Sequence, residues 1–242
     1  MTKLAYPIIT LTGPAAILLL LATGIGYQKG AFELVQAVEL LRIGALLGIA
    51  GAGFAIFFIL WQRPQGLNLA IITVSAVLGI TAFYMPYRQL LISQRLPEIH
   101  DITTDIDNPP AFVAIARVRT SIHHPVTYDG AVTAAEQRRA YPDIRTIEFP
   151  RNADDVFAAS MEVVEELGWR IAEASREEGR IEATVTSRWF GFKDDVVIRI
   201  APSGAGATRF DMRSKSRVGI SDIGSNAQHI RAFIGALSAK LR

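Results

Sequence analysis

The 242-residue sequence predicts an α+β protein in two parts. Residues 1–92 are expected to hold three transmembrane helices, and residues 93–242 a soluble domain with an antiparallel sheet and helices on one of its faces. Three observations carry this expectation. Half of the residues are hydrophobic and the mean hydropathy is +0.27, which points to a membrane portion. The apolar residues gather before about residue 90, where the charges are Lys3, Lys29, Glu33, Glu39, Arg42, Arg63 and Arg88. Beyond Arg88 the charge density becomes ordinary and short segments alternate apolar with polar residues, the pattern of strands covered on one side.

The first span is read from Tyr6 to Tyr27, with a tyrosine at each end as an interfacial anchor. Leu21-Ala22-Thr23 is a poor signal-peptidase site, so this run is expected to stay uncleaved. The second span runs from Leu41 to Trp61 and the third from Gly66 to Tyr87, each long enough for a hydrocarbon core of about 30 Å. No ionisable residue lies at the centre of any span, which argues against an ion pathway. Gly44, Gly48 and Ala52 form a row of small residues that lets another helix approach closely, either within the three-helix bundle or from a membrane protein partner.

Loop charge decides orientation only weakly. With the N-terminus inside, Lys3 and Arg63 are cytoplasmic while Lys29 and Arg42 face out beside Glu33 and Glu39. The reverse arrangement places Lys29, Arg42, Arg88 and Arg95 inside, so the balance is close to even and leans slightly toward N-out.

In the soluble part, residues 97–143 are rich in Pro, Asp and His and weak in periodicity, and are read as extended and partly irregular. "RTIEFP" alternates as a strand that Pro150 ends. Asn152 then caps a helix with Asp154 and Asp155 in its first turn, and Val156, Phe157, Ser160, Val163, Val164 and Leu167 form its inner face up to the stop at Gly168. "WRIAEAS" and "RIEATVTSR" are strands about the "REEG" turn, with Ile181, Ala183 and Val185 on one face and Glu182, Thr184 and Thr186 on the other. "DVVIRI", the "PSGAGA" turn and "TRFDMRSKS" follow. Ser221 or Asp222 is expected to cap a last helix with Ile223, Ile230, Phe233, Ile234, Leu237 and Leu241 inward.

"DITTDIDNPPAF", "RIEATVTSRWFGFKDDVVIRI" and "DMRSKSRVGISDIGSNAQHIRAF", in that order, resemble the bacterial and plastid family known only as domain of unknown function 1499. The resemblance covers roughly residues 97–240 and leaves out the spans. It implies no established activity and no catalytic residue. Many relatives are exported or lipid-anchored, which implies an N-in topology in the bacterial inner membrane with the C-terminal domain in the periplasm. The order of elements is also similar to helix-grip folds, which often hold a ligand between a curved sheet and a long helix.

Three stretches are candidate sites. Asp101, Asp105 and Asp107 fail the calcium-loop pattern, because the positions that should carry the fifth ligand and the glycine are Pro109 and Pro110. A metal-dependent hydrolase built on them with the histidines is one alternative; bonding to backbone amides or pairing with Arg188, Arg213 or Arg217 is the other. Trp189, Phe190 and Phe192 could line a ligand cleft, touch the membrane surface or a partner, or close the end of the core. Asp194 and Asp195 are expected to cap or to pair with Arg188 or Arg217. Arg213, Arg217, Ser221 and Asn226 put polar groups where a strand feeds a helix, a place suited to a lipid headgroup or small anion.

The absence of cysteine excludes thiolate catalysis, Cys-ligated zinc and disulfides. No phosphate-binding loop and no basic block is present, so neither a nucleotide, a cofactor nor a nucleic acid is expected. The expected function is therefore that of a non-enzymatic envelope protein in the lipid bilayer whose domain binds an apolar or anionic ligand or a partner. An accessory or assembly subunit of a larger membrane complex, docking through Gly44 and Gly48, is the runner-up.

Overall fold

The structure is a computed structural model that describes residues 2–204 and 206–242, with side chains from Ala5 onward. The Lys3 side chain, used in the loop charge balance, and Ala205, within the predicted turn at 202–207, lie outside the described residues. The chain forms two units. One runs to Gln94 and includes Arg188–Gly191; the other comprises Arg95–Ser187 and Phe192–Arg242.

The first unit contains α1 (Thr2–Gln28), α2 (Leu34–Gln62) and α3 (Gly66–Ser93), and each predicted span lies inside one of them. All three are long and apolar enough to cross a membrane. Small residues set how closely they approach. A Cβ on Gly48 would lie 2.6 Å from the Gly79 carbonyl oxygen, and one on Gly44 would lie 2.8 Å from Leu20 Cδ1. Ala52 is buried in the same row, so the small-residue face of α2 is occupied within the bundle. Ser75 adds polar glue, donating to the Ile9 carbonyl at 2.7 Å and accepting from Gly13 N–H at 3.2 Å. Large apolar side chains such as Leu18, Phe54 and Leu60 are left facing outward, as a lipid-facing surface requires. Trp189 packs in this unit against the cluster of Ala16, Leu20 and Ala82, and the Phe190 ring lies 5.7 Å from that of Tyr27.

The second unit is built on six antiparallel strands: β1 (Asp101–Thr103), β2 (Ile147–Phe149), β3 (Arg170–Ser175), β4 (Arg180–Thr186), β5 (Lys193–Pro202) and β6 (Thr208–Ser216). The sheet order is β1-β6-β5-β4-β3, and β2 also pairs with β6, opposite Thr208–Phe210. Three helices accompany it: α4 (Ala131–Ala140), α5 (Ala153–Glu166) and α6 (Ser225–Lys240). Asn152 caps α5 as predicted, its side chain accepting Asp155 N–H at 2.9 Å, and Gly168 ends the following turn at φ +68°. One sheet face places Ile102, Ile181, Ala183, Val196, Ile198, Ile200, Phe210 and Met212 under the apolar sides of α5 and α6.

Three expectations need correction. Residues 97–143 are not simply irregular, since they hold β1, a single 3-10 turn at Ile115–Arg117 and α4. "AVTAAEQRRA" lacks an apolar period because α4 is held by Gln137, whose amide accepts Thr103 N–H at 3.0 Å and donates to the Thr103 carbonyl at 2.6 Å. That side chain stands in for a neighbouring strand along the otherwise unpaired edge of β1. The last helix begins at Ser225 rather than after Ser221 or Asp222; Ile223 precedes it with φ 51°, and Asp222 still accepts from the N–H groups of Gly224 and Asn226. Finally, the polar face of the sheet does not meet solvent. Glu182, Asp195, Asp211, Arg213 and Lys215 on it are all buried, beneath the segment that runs from Thr104 to Gly130.

Candidate functional site

The charged sheet face and the covering segment satisfy one another. Apart from its 3-10 turn, the segment has no regular pairing for its backbone, so the buried groups need partners from elsewhere. Glu182 supplies three: its carboxylate accepts Val113 N–H at 2.8 Å, Ala114 N–H at 3.1 Å and Ile115 N–H at 2.9 Å, and it pairs with Arg180. Burial opposes the Arg180 charge, but hydrogen bonds to Glu178, Glu173 and Glu182 more than compensate and raise its pKa. Arg213 grips Asp101 with two bonds of 2.8 and 2.7 Å and also donates to the carbonyls of Pro110 and Val126. Its guanidinium lies between the rings of Phe112 and Tyr128, at 5.1 and 5.5 Å. Burial, and after it the Asp101 charge, push the Tyr128 phenol up to about 12. Lys215, fully buried, reaches Asp101 at 3.1 Å, Asp129 at 2.6 Å and the Thr127 carbonyl at 2.7 Å.

Two further knots complete the face. Asp195 accepts from Arg119 at 2.8 Å, from two nitrogens of Arg217 at 2.9 Å each, and from Thr184 at 2.7 Å. Asp211 takes Arg199 at 2.8 Å, Arg209 at 3.0 Å, and the hydroxyls of Thr104 and Thr146. Burial would raise the Asp211 pKa, but the bonds from Thr146, Arg199 and Arg209 win and hold it below the usual carboxylate value.

The sequence candidates fall into place against this network. Asp101, Asp105 and Asp107 do not converge: Asp101 pairs with Arg213, Asp105 with Arg199 and Arg209, and exposed Asp107 with Arg138. Arginine pairing is therefore as expected in kind, with Arg213 anticipated and the other partners not. Among the described residues no group of three or more His, Cys, Asp or Glu side chains is placed to hold a metal. Arg213 and Arg217 spend their donors inside the protein rather than toward an open site. Asn226 accepts from Ser214 at 2.5 Å and donates to the His100 carbonyl and to Ser216, which ties α6 to β6. Ser221 accepts Ile223 N–H and bonds the Pro97 carbonyl. Trp189 and Phe190 belong to the helical unit, and Phe192 to the sheet unit. Asp194, Ser225 and His229 come together, but Ser225 and His229 both bond one oxygen of Asp194, at 3.2 and 3.0 Å. With its hydroxyl directed to a carboxylate rather than to the imidazole, Ser225 is not set up as an activated nucleophile.

One concavity bordering the charged layer was not foreseen from sequence. It is a cleft of about 550 Å³ between the turn at 104–107, the end of α4 and the approach to β2. Arg138, Arg145 and Arg209 line it, together with Pro142 and Ile144. Arg209 is half-exposed and shared between Asp105 and Asp211. Arg145 is exposed, and no hydrogen bond or ion pair among the described residues engages it. Its place at the head of the alternating "RTIEFP" stretch marks a strand and gives no sign of a cleft.

The fold and these surfaces define a class: an antiparallel α+β domain that follows three helices long and apolar enough to cross a membrane. Residues 101–237, more than half of the chain, match the family described as "Protein of unknown function (DUF1499)", and the protein belongs to that family. The match starts at the first residue of β1 and ends within α6, so it comprises the whole sheet and none of the spans. A search of curated proteins finds no match.

Proposed function

We propose that this is an envelope protein, held in the bacterial inner membrane by its three helices, whose periplasmic domain binds an amphipathic anion without transforming it. The observation that carries this reading is Arg145, an unpaired guanidinium on the wall of an open cleft beside Arg138 and Arg209. A phosphate or carboxylate head would take the planar donors of Arg145 and Arg209. The Arg138–Asp107 pair beside them is largely exposed, with side-chain exposures of 59% and 89%, and is worth less than about 1 kcal/mol. An anionic head can therefore displace Asp107 at little cost. Pro142 and Ile144 offer an apolar wall for an attached chain. The periplasmic side is favoured by the export that the family resemblance implies, against a slight lean of the loop charges the other way.

Titration calorimetry on the full chain in detergent, with hexyl phosphate and with inorganic phosphate, tests the binding. Saturable binding of hexyl phosphate, tighter than that of inorganic phosphate and weakened roughly tenfold or more by Arg145→Ala, is expected from the loss of one charge-assisted bond. Binding that is absent, or indifferent to Arg145→Ala, ends the reading. A C-terminal reporter fusion active only in the periplasm is expected; activity in the cytoplasm would overturn the orientation.

A further inference from the structure

One end of the sheet unit carries exposed isoleucines instead of polar loop tips. Ile122 is 80% exposed and Ile220 76%, with Val118 beside the first at 58%. They stand on two loops that are braced together. His124 N–H donates to the Arg217 carbonyl at 2.7 Å, and His124 Nε2 lies 2.9 Å from the Gly219 carbonyl oxygen. Stacking of the His100 and His124 rings, 3.9 Å between centroids, stiffens the same corner. Tips held this firmly do not fold back to hide their side chains, so the apolar groups stay presented.

Charge at this end is mainly positive. The stretches 117–124 and 217–221 contain no Asp or Glu, yet hold Arg117, Arg119 and Arg217, and Lys193 lies beside them, its carbonyl accepting Arg217 N–H at 2.9 Å. Arg119 and Arg217 are neutralised by buried Asp195, while Arg117 and Lys193 are exposed. Burial first, then the charges of Arg217, Arg119 and Lys193, hold the His123 imidazole below its ordinary pKa, as a positive surface should. The adjoining linker adds Glu98 and, three residues earlier, Arg95.

Chain connectivity then limits where this end can be. The third span ends at Ser93, and the linker runs against the 217–222 loop through Ser221 to the Pro97 carbonyl, Asp222 N–H to the Ile99 carbonyl and Ser216 N–H to the His100 carbonyl. Pro97 is four residues beyond Ser93, so at most about 14 Å of extended chain separates the span from the loop that carries Ile220. Paired isoleucines with a mainly basic rim, tethered this closely to a span, have the composition of an interfacial anchor.

We infer that the loops bearing Ile122 and Ile220 dock on the bilayer itself, with the isoleucines in the headgroup boundary of a leaflet containing anionic lipid and Arg117 and Lys193 against the phosphates. The contact fixes which end of the domain faces the membrane and leaves the turns at the other end of the strands toward water. It is independent of the anion cleft, since neither isoleucine and neither of these cations lines that cleft.

The native chain has no cysteine, so Ile122→Cys and Ile220→Cys can each carry a single spin label in the full-length protein. Glu177→Cys, in the turn at the opposite end of seven-residue β4 and about 20 Å away, is the reference. In nanodiscs of phosphatidylcholine with about 30% phosphatidylglycerol, labels at 122 and 220 should collide with oxygen and be shielded from an aqueous nickel complex, whereas the label at 177 should meet nickel freely. Arg117→Glu with Lys193→Glu should return both labels to water. Labels at 122 and 220 as nickel-accessible as that at 177 would overturn the docking. Shielding from both oxygen and nickel would replace the bilayer with a protein partner. Equal shielding in pure phosphatidylcholine would remove the anionic lipid from the proposal.

Discussion

On one face of the sheet Ile181, Val196, Ile198, Phe210 and Met212 meet α5 and α6 through hydrocarbon; on the other, Glu182, Asp195, Arg213 and Lys215 meet the 104–130 segment through charge-assisted hydrogen bonds. The first face is joined by area, which is non-directional and tolerates changes of shape that keep volume. The second is joined by direction. Its covering segment has few ladder bonds of its own, so carboxylates and guanidinium groups replace them, and each is committed to several partners at once. Removing apolar atoms leaves a void, whereas removing one charge strands another in a dry interior. The covering segment is thus a part of the core, although its composition is that of a loop.

The largest test of this contrast is Asp101→Ala, which strands the buried Arg213 and leaves Lys215 with Asp129 as its remaining counter-charge. Denaturant unfolding of the full chain in detergent should show a loss of about 3–5 kcal/mol. A loss no greater than that of an ordinary surface substitution would mean that water reaches this layer and that the two faces are not so different. On the apolar face Met212→Leu keeps volume and should cost less than about 1.5 kcal/mol in the same experiment; a cost matching that of Asp101→Ala would erase the distinction from the other side.

Mild acid should act through the histidine corner. Burial and the neighbouring His124 charge lower the His100 pKa, outweighing Asp129, and the His123 pKa is lowered as well. Because the folded state disfavours both imidazolium forms, the unfolded chain takes up those protons first. Stability is full above about pH 6.5 and is lost as the pH falls through that value. Thermal unfolding should therefore shift downward on mild acidification, and His100→Gln should flatten the shift; an unchanged midpoint would exclude the histidine corner as a contributor. The smallest effect belongs to Arg138→Ala. Its exposed pair with Asp107 should contribute less than about 1 kcal/mol by double-mutant cycle, and a larger coupling would extend the buried network to the rim of the cleft.

What could be read from residues in order was everything with a local period. The spans, the Asn152 cap and the alternation of Ile181, Ala183 and Val185 each follow from neighbours within one or two turns, because hydrophobic spacing and capping act over that range. The pairing of the aspartates with arginines was legible as chemistry, since so many carboxylates beside a basic strand need counter-charges. Which arginine goes to which aspartate was not: Asp101 and Arg213 lie 112 residues apart, and Glu182 meets Val113 across 69. Gln137 at the edge of β1, the burial of the polar face and the cleft around Arg145 arise only when distant segments meet. Sequence spacing sets which side chains share a face of a strand; whether that face ends against water or against another part of the chain depends on the path of a segment that has no period of its own.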